Sequence, residues 1–141
     1  MASWKKYKED FILLLEAGFI AVNQSDEDSA TKLFKAAALL DPENPLPTIG
    51  VGYLHLHKLE LRQAVQAFEA VLTKDPHNDM AKAFMGLAMS LQPNSMDKGE
   101  KILEQTCKSS DPLIKKLSNT SIDFVERFLK KSPGPASHPK R

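Results

Sequence analysis

ATKLFKAAALLDP, residues 30–42, returns thirty-four positions later as AVQAFEAVLTKDP, residues 64–76. Ala30 matches Ala64, Phe34 matches Phe68, Ala37 matches Val71 and Pro42 matches Pro76, with no gap. Two helices come close only where a small residue faces the partner and a large one fills the next hole, which is what this alternation of Ala and Phe supplies. The closing Asp-Pro ends each helix, because proline lacks the amide proton and restricts the residue before it. Upstream, Gly18, Gly52 and Gly86 carry the same period through most of the chain. The sequence therefore reads as a tandem array of helical hairpins.

Working outward, the first helix is expected over Trp4 to Val22, since Tyr7, Phe11, Leu14, Leu15, Gly18, Phe19 and Val22 fall at steps of three and four. Ser25 and Asp28 resemble a capping box for a second helix, about Asp26 to Leu40. Asp41-Pro42-Glu43-Asn44-Pro45 stops it. A helix from Leu46 to Lys58, a turn near Glu60, a helix to Thr73 and Asp75-Pro76-His77-Asn78 repeat the pattern, and a third unit begins at Asp79. That unit is less regular: Leu91-Gln92-Pro93-Asn94-Ser95-Met96 calls for a one-residue insertion, which places Gly99 and Leu103 at the small and large positions. The ungapped register would place Lys98 and Ile102 there, at the cost of burying a lysine. Asp111-Pro112 opens a final helix whose Leu113, Ile114, Leu117, Ser121, Phe124, Val125, Phe128 and Leu129 are expected to form one inward face. It reads as the cap that a repeat array needs over its apolar end. Alternating strand patterns and hairpin turns are absent. The expected fold class is all-α, a single domain over 1–131 with repeats at about 10–43, 44–77 and 78–111, a capping helix at 112–131 and a disordered tail at 132–141.

Bulk properties narrow the function. Nineteen basic against eighteen acidic residues in a chain of 141 leave no global field to attract nucleic acid or an anionic membrane. The clusters Lys5, Lys6, Lys8, then Lys115-Lys116 and Lys130-Lys131, are interrupted by Glu9, Asp10 and Glu126 and read as solvated helix faces. A single cysteine, Cys107, excludes an internal disulfide. With no long apolar run and no signal-peptide pattern, the expectation is a cytoplasmic protein without membrane insertion. His55 and His57, two apart on a helix, point away from each other and cannot share one metal ion. Gly50-Val51-Gly52 lacks the third glycine and the preceding strand of a dinucleotide loop. No acid, base, nucleophile or metal set converges, so neither an enzyme nor a bound cofactor is expected.

These landmarks resemble the tetratricopeptide repeat family over about residues 10–111. Two units carry its Gly or Ala near the eighth position, Ala near the twentieth, a large apolar residue near the twenty-fourth and Pro at the thirty-second. They depart from it at Leu14, Thr48 and Lys82, where an aromatic residue is common, and at Ala21, His55 and Met89, where tyrosine is. The resemblance implies three helix-turn-helix repeats in a right-handed superhelical solenoid closed by a C-terminal capping helix. It also implies that the first helix of each repeat lines a concave groove. Carried over by position, the partner-binding groove consists of Leu15, Phe19, Val22, Ile49, Tyr53, Leu56, Met80, Phe84, Leu87 and Leu91, with Ala83 among them. Family members that clamp acidic chaperone tails are similar to one another in having lysine, asparagine and arginine at places held here by Leu15, Phe19, Ile49, Tyr53, Ala83 and Leu87. An apolar ligand is implied instead.

Within the family the chain looks like the small chaperones of bacterial type III secretion, especially those of the needle subunit. The resemblance implies a chaperone that holds an amphipathic or apolar helix of a secretion substrate and prevents premature polymerisation, with a second small co-chaperone as a further partner. The alternatives are a general adaptor or assembly factor, and self-association as a homodimer. The chain's own segment around Trp4 and Tyr7 could also fill part of the groove.

Overall fold

Among the described residues, seven α-helices follow the punctuation of the sequence in the computed structural model: α1 (Ala2–Asn23), α2 (Glu27–Leu40), α3 (Leu46–His57), α4 (Leu61–Lys74), α5 (Asp79–Ser90), α6 (Met96–Thr106) and α7 (Pro112–Phe124). Residues 2–130 are described, with side chains from Lys5 onward, and no strand occurs among them. The last residue of the expected cap, the tail 132–141 and the side chain of Trp4 lie outside the described residues. The packing separates into two compact units, one ending at Asn78 and one beginning at Asp79.

In the first unit α1 packs on α2, α3 packs on both, and α4 packs on α3. The ring of Phe34 sits at the centre of this arrangement. A methyl group added at Gly18 would stand 2.5 Å from Phe34 Cε1, and one at Gly50 would strike the same ring, so two helix backbones lie directly against its faces. Gly52 and Phe68 repeat the contact one period later, again at 2.5 Å. Ala30, Ala37, Phe11, Leu15 and Val22 complete the core cluster around Phe34. The period extends to the turns. Asn44 Nδ2 donates to Asp41 Oδ2 at 3.2 Å, and Asn78 Nδ2 to Asp75 Oδ2 at 3.1 Å, so each Asp-Pro stop is closed by the same Asp/Asn pair.

Ser25 and Leu59, also one period apart, both take a left-handed backbone with φ of 61°. A residue so placed cannot serve as the extended N-cap of the next helix. This shifts the cap from the expected Ser25 to Asp26, whose carboxylate accepts from the Ser29 amide at 3.1 Å. Hydrogen bonding from the Ser29 side chain, and next from its amide, holds the Asp26 carboxyl below the usual carboxylate range. Left-handed geometry costs a branched side chain roughly 1–2 kcal/mol, and Leu59 is exposed, so its side chain contributes little burial in return. Leu59→Gly is therefore expected to raise stability, by up to about 1 kcal/mol after the entropy of a more flexible unfolded chain is subtracted. Urea denaturation of the two proteins side by side checks it, and a loss of stability would contradict the reading.

The second unit shows why the third period is irregular. One period after Leu59 stands Pro93, whose ring fixes φ near −65° and forbids the left-handed turn. The chain instead makes a short 3₁₀ turn, Pro93–Ser95, and gains a residue. Gly99 and Leu103 then face α5, while Lys98 stays in solvent. Ser90 Oγ, buried, donates to the Gly86 carbonyl at 2.7 Å beside this contact.

Asp111 caps α7 by accepting from the Leu113 amide at 2.9 Å, with Pro112 in the first turn, where no helical donor is lost. The inward stripe of α7 is Ile114, Ser118, Ser121 and Val125. Leu113, Phe124 and Phe128, expected on that face, are exposed. The expected face is wider than the contact with α5 and α6 covers, and a pair of hydroxyls lies in the part that is covered. Thr106 Oγ1 and Ser118 Oγ lie 2.6 Å apart, both buried, and Thr106 Oγ1 is also 3.2 Å from the Leu103 carbonyl, so neither hydroxyl is left without a partner. Beyond Phe124 the helix widens into a π-helical segment, Val125–Lys130. Lys130 at its end pairs with Glu100, whose carboxylate is nearly buried, and this hydrogen bond holds the Lys130 ammonium above its usual range.

An apolar cleft along the first helix

The core face of α1 is made by Phe11, Leu15, Gly18 and Val22, at steps of four and three. Its apolar residues do not stop there. Tyr7, Ile12, Leu13 and Ile20 stand in solvent on the same helix, and Leu39 of α2 is 81% exposed beside them. A helix apolar around most of its girth normally has cover on more than one side, and among the described residues of this unit only one side of α1 has it.

The uncovered surface forms a cleft of about 840 Å³. Its wall is Tyr7, Phe11, Ile12, Leu15 and Phe19 from α1, with Leu39, Leu40 and Leu46 opposite. Lys8, Glu16, Asp41 and Asn44 supply its polar groups. A second, smaller hollow of about 390 Å³ on the other flank of α1 is lined by Asp10, Leu13, Leu14, Ala36, Leu39 and Leu40. At the inner end of the cleft Phe19 meets Phe34 edge-on, with centroids 5.2 Å apart, and lies 5.5 Å from the ring of Tyr53. The Tyr53 hydroxyl donates to Asn23 Oδ1 at 2.7 Å, which ties α3 to the end of α1. Such aromatic contacts are directional and hold the cleft floor in one geometry.

The ten residues expected to line a groove fall into different environments. Val22 and Ile49 are wholly buried, and Leu15 and Leu56 nearly so. Side chains without exposed area give a partner little to touch. Phe19 and Tyr53 are half-buried, and Leu15 and Phe19 enter the cleft just described. Tyr53 does not line it, and its ring and hydroxyl both serve the α1–α3 contact, so a substitution there disturbs packing as well as surface. In the second unit Met80, Phe84 and Leu87 are half-buried along α5, where Ala83 is fully buried, and Leu91 is half-buried just beyond its end. Tyr7, Phe11, Ile12, Leu39, Leu40 and Leu46 line the cleft without having been named as groove residues. Their signal was present in the sequence as surplus apolar residues on α1 outside the core stripe.

The polar chemistry of the unit is gathered at its other turn. His55 Nδ1 and Glu60 Oε1 are 2.7 Å apart, and Lys58 Nζ reaches Glu60 Oε2 at 3.2 Å and Glu27 Oε2 at 2.8 Å. The His55 hydrogen bond, with help from Lys58, holds the Glu60 carboxyl below its usual range. Glu27 and Glu60 in turn raise Lys58. The network fastens the end of α3 to the start of α2 through Lys58, with His55 holding Glu60 in place. His57 is exposed. Cys107 is partly exposed, and its thiol donates to the Glu104 carbonyl at 3.0 Å. Among the described residues no three histidine, cysteine or acidic side chains gather as a metal-binding group, and no helix is long and apolar enough to cross a membrane. No protein-family model and no curated protein matches the chain.

Proposed function

We propose that this chain is a tetratricopeptide-type binding protein that holds an amphipathic helix of another protein along α1, and that it acts as a chaperone for a self-polymerising subunit, the needle subunit of a type III secretion system. The observation that carries the reading is the cleft of about 840 Å³, walled by aromatic and aliphatic side chains. Such a surface is costly to leave in water and suits a helix that would otherwise bury the same apolar stripe against its own copies. Few polar groups line it, so it offers little grip to a small polar substrate. Repeat character is supported by the paired left-handed turns at Ser25 and Leu59, the paired Asp/Asn closures and the paired Gly/Phe contacts. The absence of lysine and arginine at the clamp positions favours an apolar ligand over an acidic tail.

Co-expression with the small open reading frames encoded beside this one, followed by size-exclusion chromatography, tests the role. The expected result is a stable complex with a short, helix-forming protein that polymerises when released. Tyr7 is exposed on the cleft wall and far from the core contacts of Phe34. Tyr7→Asp should therefore weaken that complex at least tenfold, about 1.4 kcal/mol, with circular dichroism unchanged. Recovery of the chain alone from every co-expression would count against the chaperone role. Undiminished binding by Tyr7→Asp would place the partner elsewhere.

A further inference from the structure

Two carboxylates line the apolar cleft without a cation beside them. Glu16 belongs to the α1 wall, one turn after Ile12, and Asp41 follows Leu40 on the wall opposite. Glu16 is exposed, and the Asp41 carboxylate accepts from the neutral side-chain amide of Asn44 at 3.2 Å. Neither is in an ion pair among the described residues. Lys8, the basic residue of the lining, is already engaged in a contact. We propose that the helix held in this cleft is a cationic one, whose lysine or arginine side chains flank its apolar stripe and reach Glu16 on one side and Asp41 on the other. The inference rests on the reading of the cleft as a helix-binding site and adds the class of helix it takes.

Tyr7, Phe11, Leu15 and Phe19 succeed one another at steps of four along the cleft. That row spans about 18 Å at 1.5 Å per residue, roughly the length of three helical turns. A helix laid between two walls turns its apolar stripe to the floor and a polar flank to each wall. One carboxylate stands at each flank, so lysine or arginine there gains two charge-assisted contacts beside apolar walls that limit competition from water. Their aliphatic stems suit the same walls, lying along Ile12 and Leu39 while the charged end reaches past them. A helix with glutamate at its flanks would meet like charge on both sides. The charge of the whole unit acts in the same sense. Residues 1–78 hold eight basic and eleven acidic residues, so a basic segment is drawn toward this unit and an acidic one repelled.

Fluorescence anisotropy of two labelled amphipathic peptides of about eighteen residues, titrated with the full chain, tests this. Both peptides carry the same leucine stripe, flanked by lysine in one and by glutamate in the other. In about 0.05 M salt the lysine peptide should bind about tenfold more tightly, and the margin should narrow at about 0.5 M salt. Glu16→Gln with Asp41→Asn should bring the two peptides to within about threefold of each other, with circular dichroism unchanged. Asp28→Asn with Glu69→Gln removes as much charge at exposed positions outside the cleft and should preserve most of the margin. Equal or tighter binding of the glutamate peptide overturns the proposal. So does a margin that survives the first pair of substitutions, or one that falls as far with the second pair. Leu39→Ser, which removes apolar wall and no charge, reports on the cleft itself. Two peptides that bind alike and are both weakened by Leu39→Ser would keep the cleft as a helix site and overturn only its preference for a basic one. Binding of neither peptide would overturn both.

Discussion

Phe34→Ala is expected to cost about 3–5 kcal/mol, measured as a shift in the urea midpoint of the first unit. The ring is 1% exposed, and it fills the space between the Gly18 and Gly50 backbones while supporting Phe19 edge-on. Truncation removes the transfer free energy of the ring and leaves a void that cannot collapse, because the helix backbones around it are already held apart by their other contacts. Since a domain is stable by only about 5–15 kcal/mol, this single change could take a third or more of the total. Phe34→Leu keeps most of the volume and should cost far less. A Phe34→Ala protein with an unshifted midpoint would mean that the packing of α1, α2 and α3 is not organised around this ring.

Gly99→Ala is the second large effect, and it tests the register of the third unit. A methyl group at Gly99 would stand 2.5 Å from the Ser90 nitrogen and 2.6 Å from the Gly86 carbonyl oxygen, both backbone atoms of α5. Backbone cannot rotate aside, so α6 must move away from α5 as a body. Overpacking of this kind costs about 1–3 kcal/mol, and a rigid obstacle puts the cost at the upper end. The better helix propensity of alanine returns at most about 1 kcal/mol. Gly86→Ala should be milder, because its nearest neighbour is the Leu103 side chain at 3.0 Å. Lys98, in solvent, should tolerate alanine within about 0.5 kcal/mol. Thermal melts of the three variants give the order, and a Lys98→Ala loss exceeding that of Gly99→Ala would return the unit to its ungapped alignment.

How legible the candidate site was depended on the kind of information needed. Phe19 and Leu15 could be placed in the cleft region from their step along α1 and the position of Gly18. Val22, Ile49 and Leu56 share the same periodicity yet are buried, since a period tells which residues share a helix face and not how far the neighbouring helix extends over that face. Tyr7, Ile12 and Leu39 belong to the cleft because α1 and α2 are left uncovered where their ends meet, a property of packing that no local spacing encodes. In α7 the sequence pattern favoured Leu113 and the phenylalanines as the inward face. The face so drawn is wider than the contact with α5 and α6, and the part of α7 that this contact covers carries Ile114, Ser118, Ser121 and Val125 instead.

By itself the sequence determined the all-helical class, the helix ends at Asp41-Pro42 and Asp75-Pro76, the small-against-large partnership of glycine and phenylalanine, and the inserted residue of the third unit. These follow from steric and hydrogen-bonding rules that act over one or two turns of chain. Tertiary structure alone decided that Glu100 is met by Lys130 and that the apolar excess of α1 is left open as a cleft. Each of those is a balance of burial and pairing between residues distant in sequence, and its outcome exists only once the helices have met.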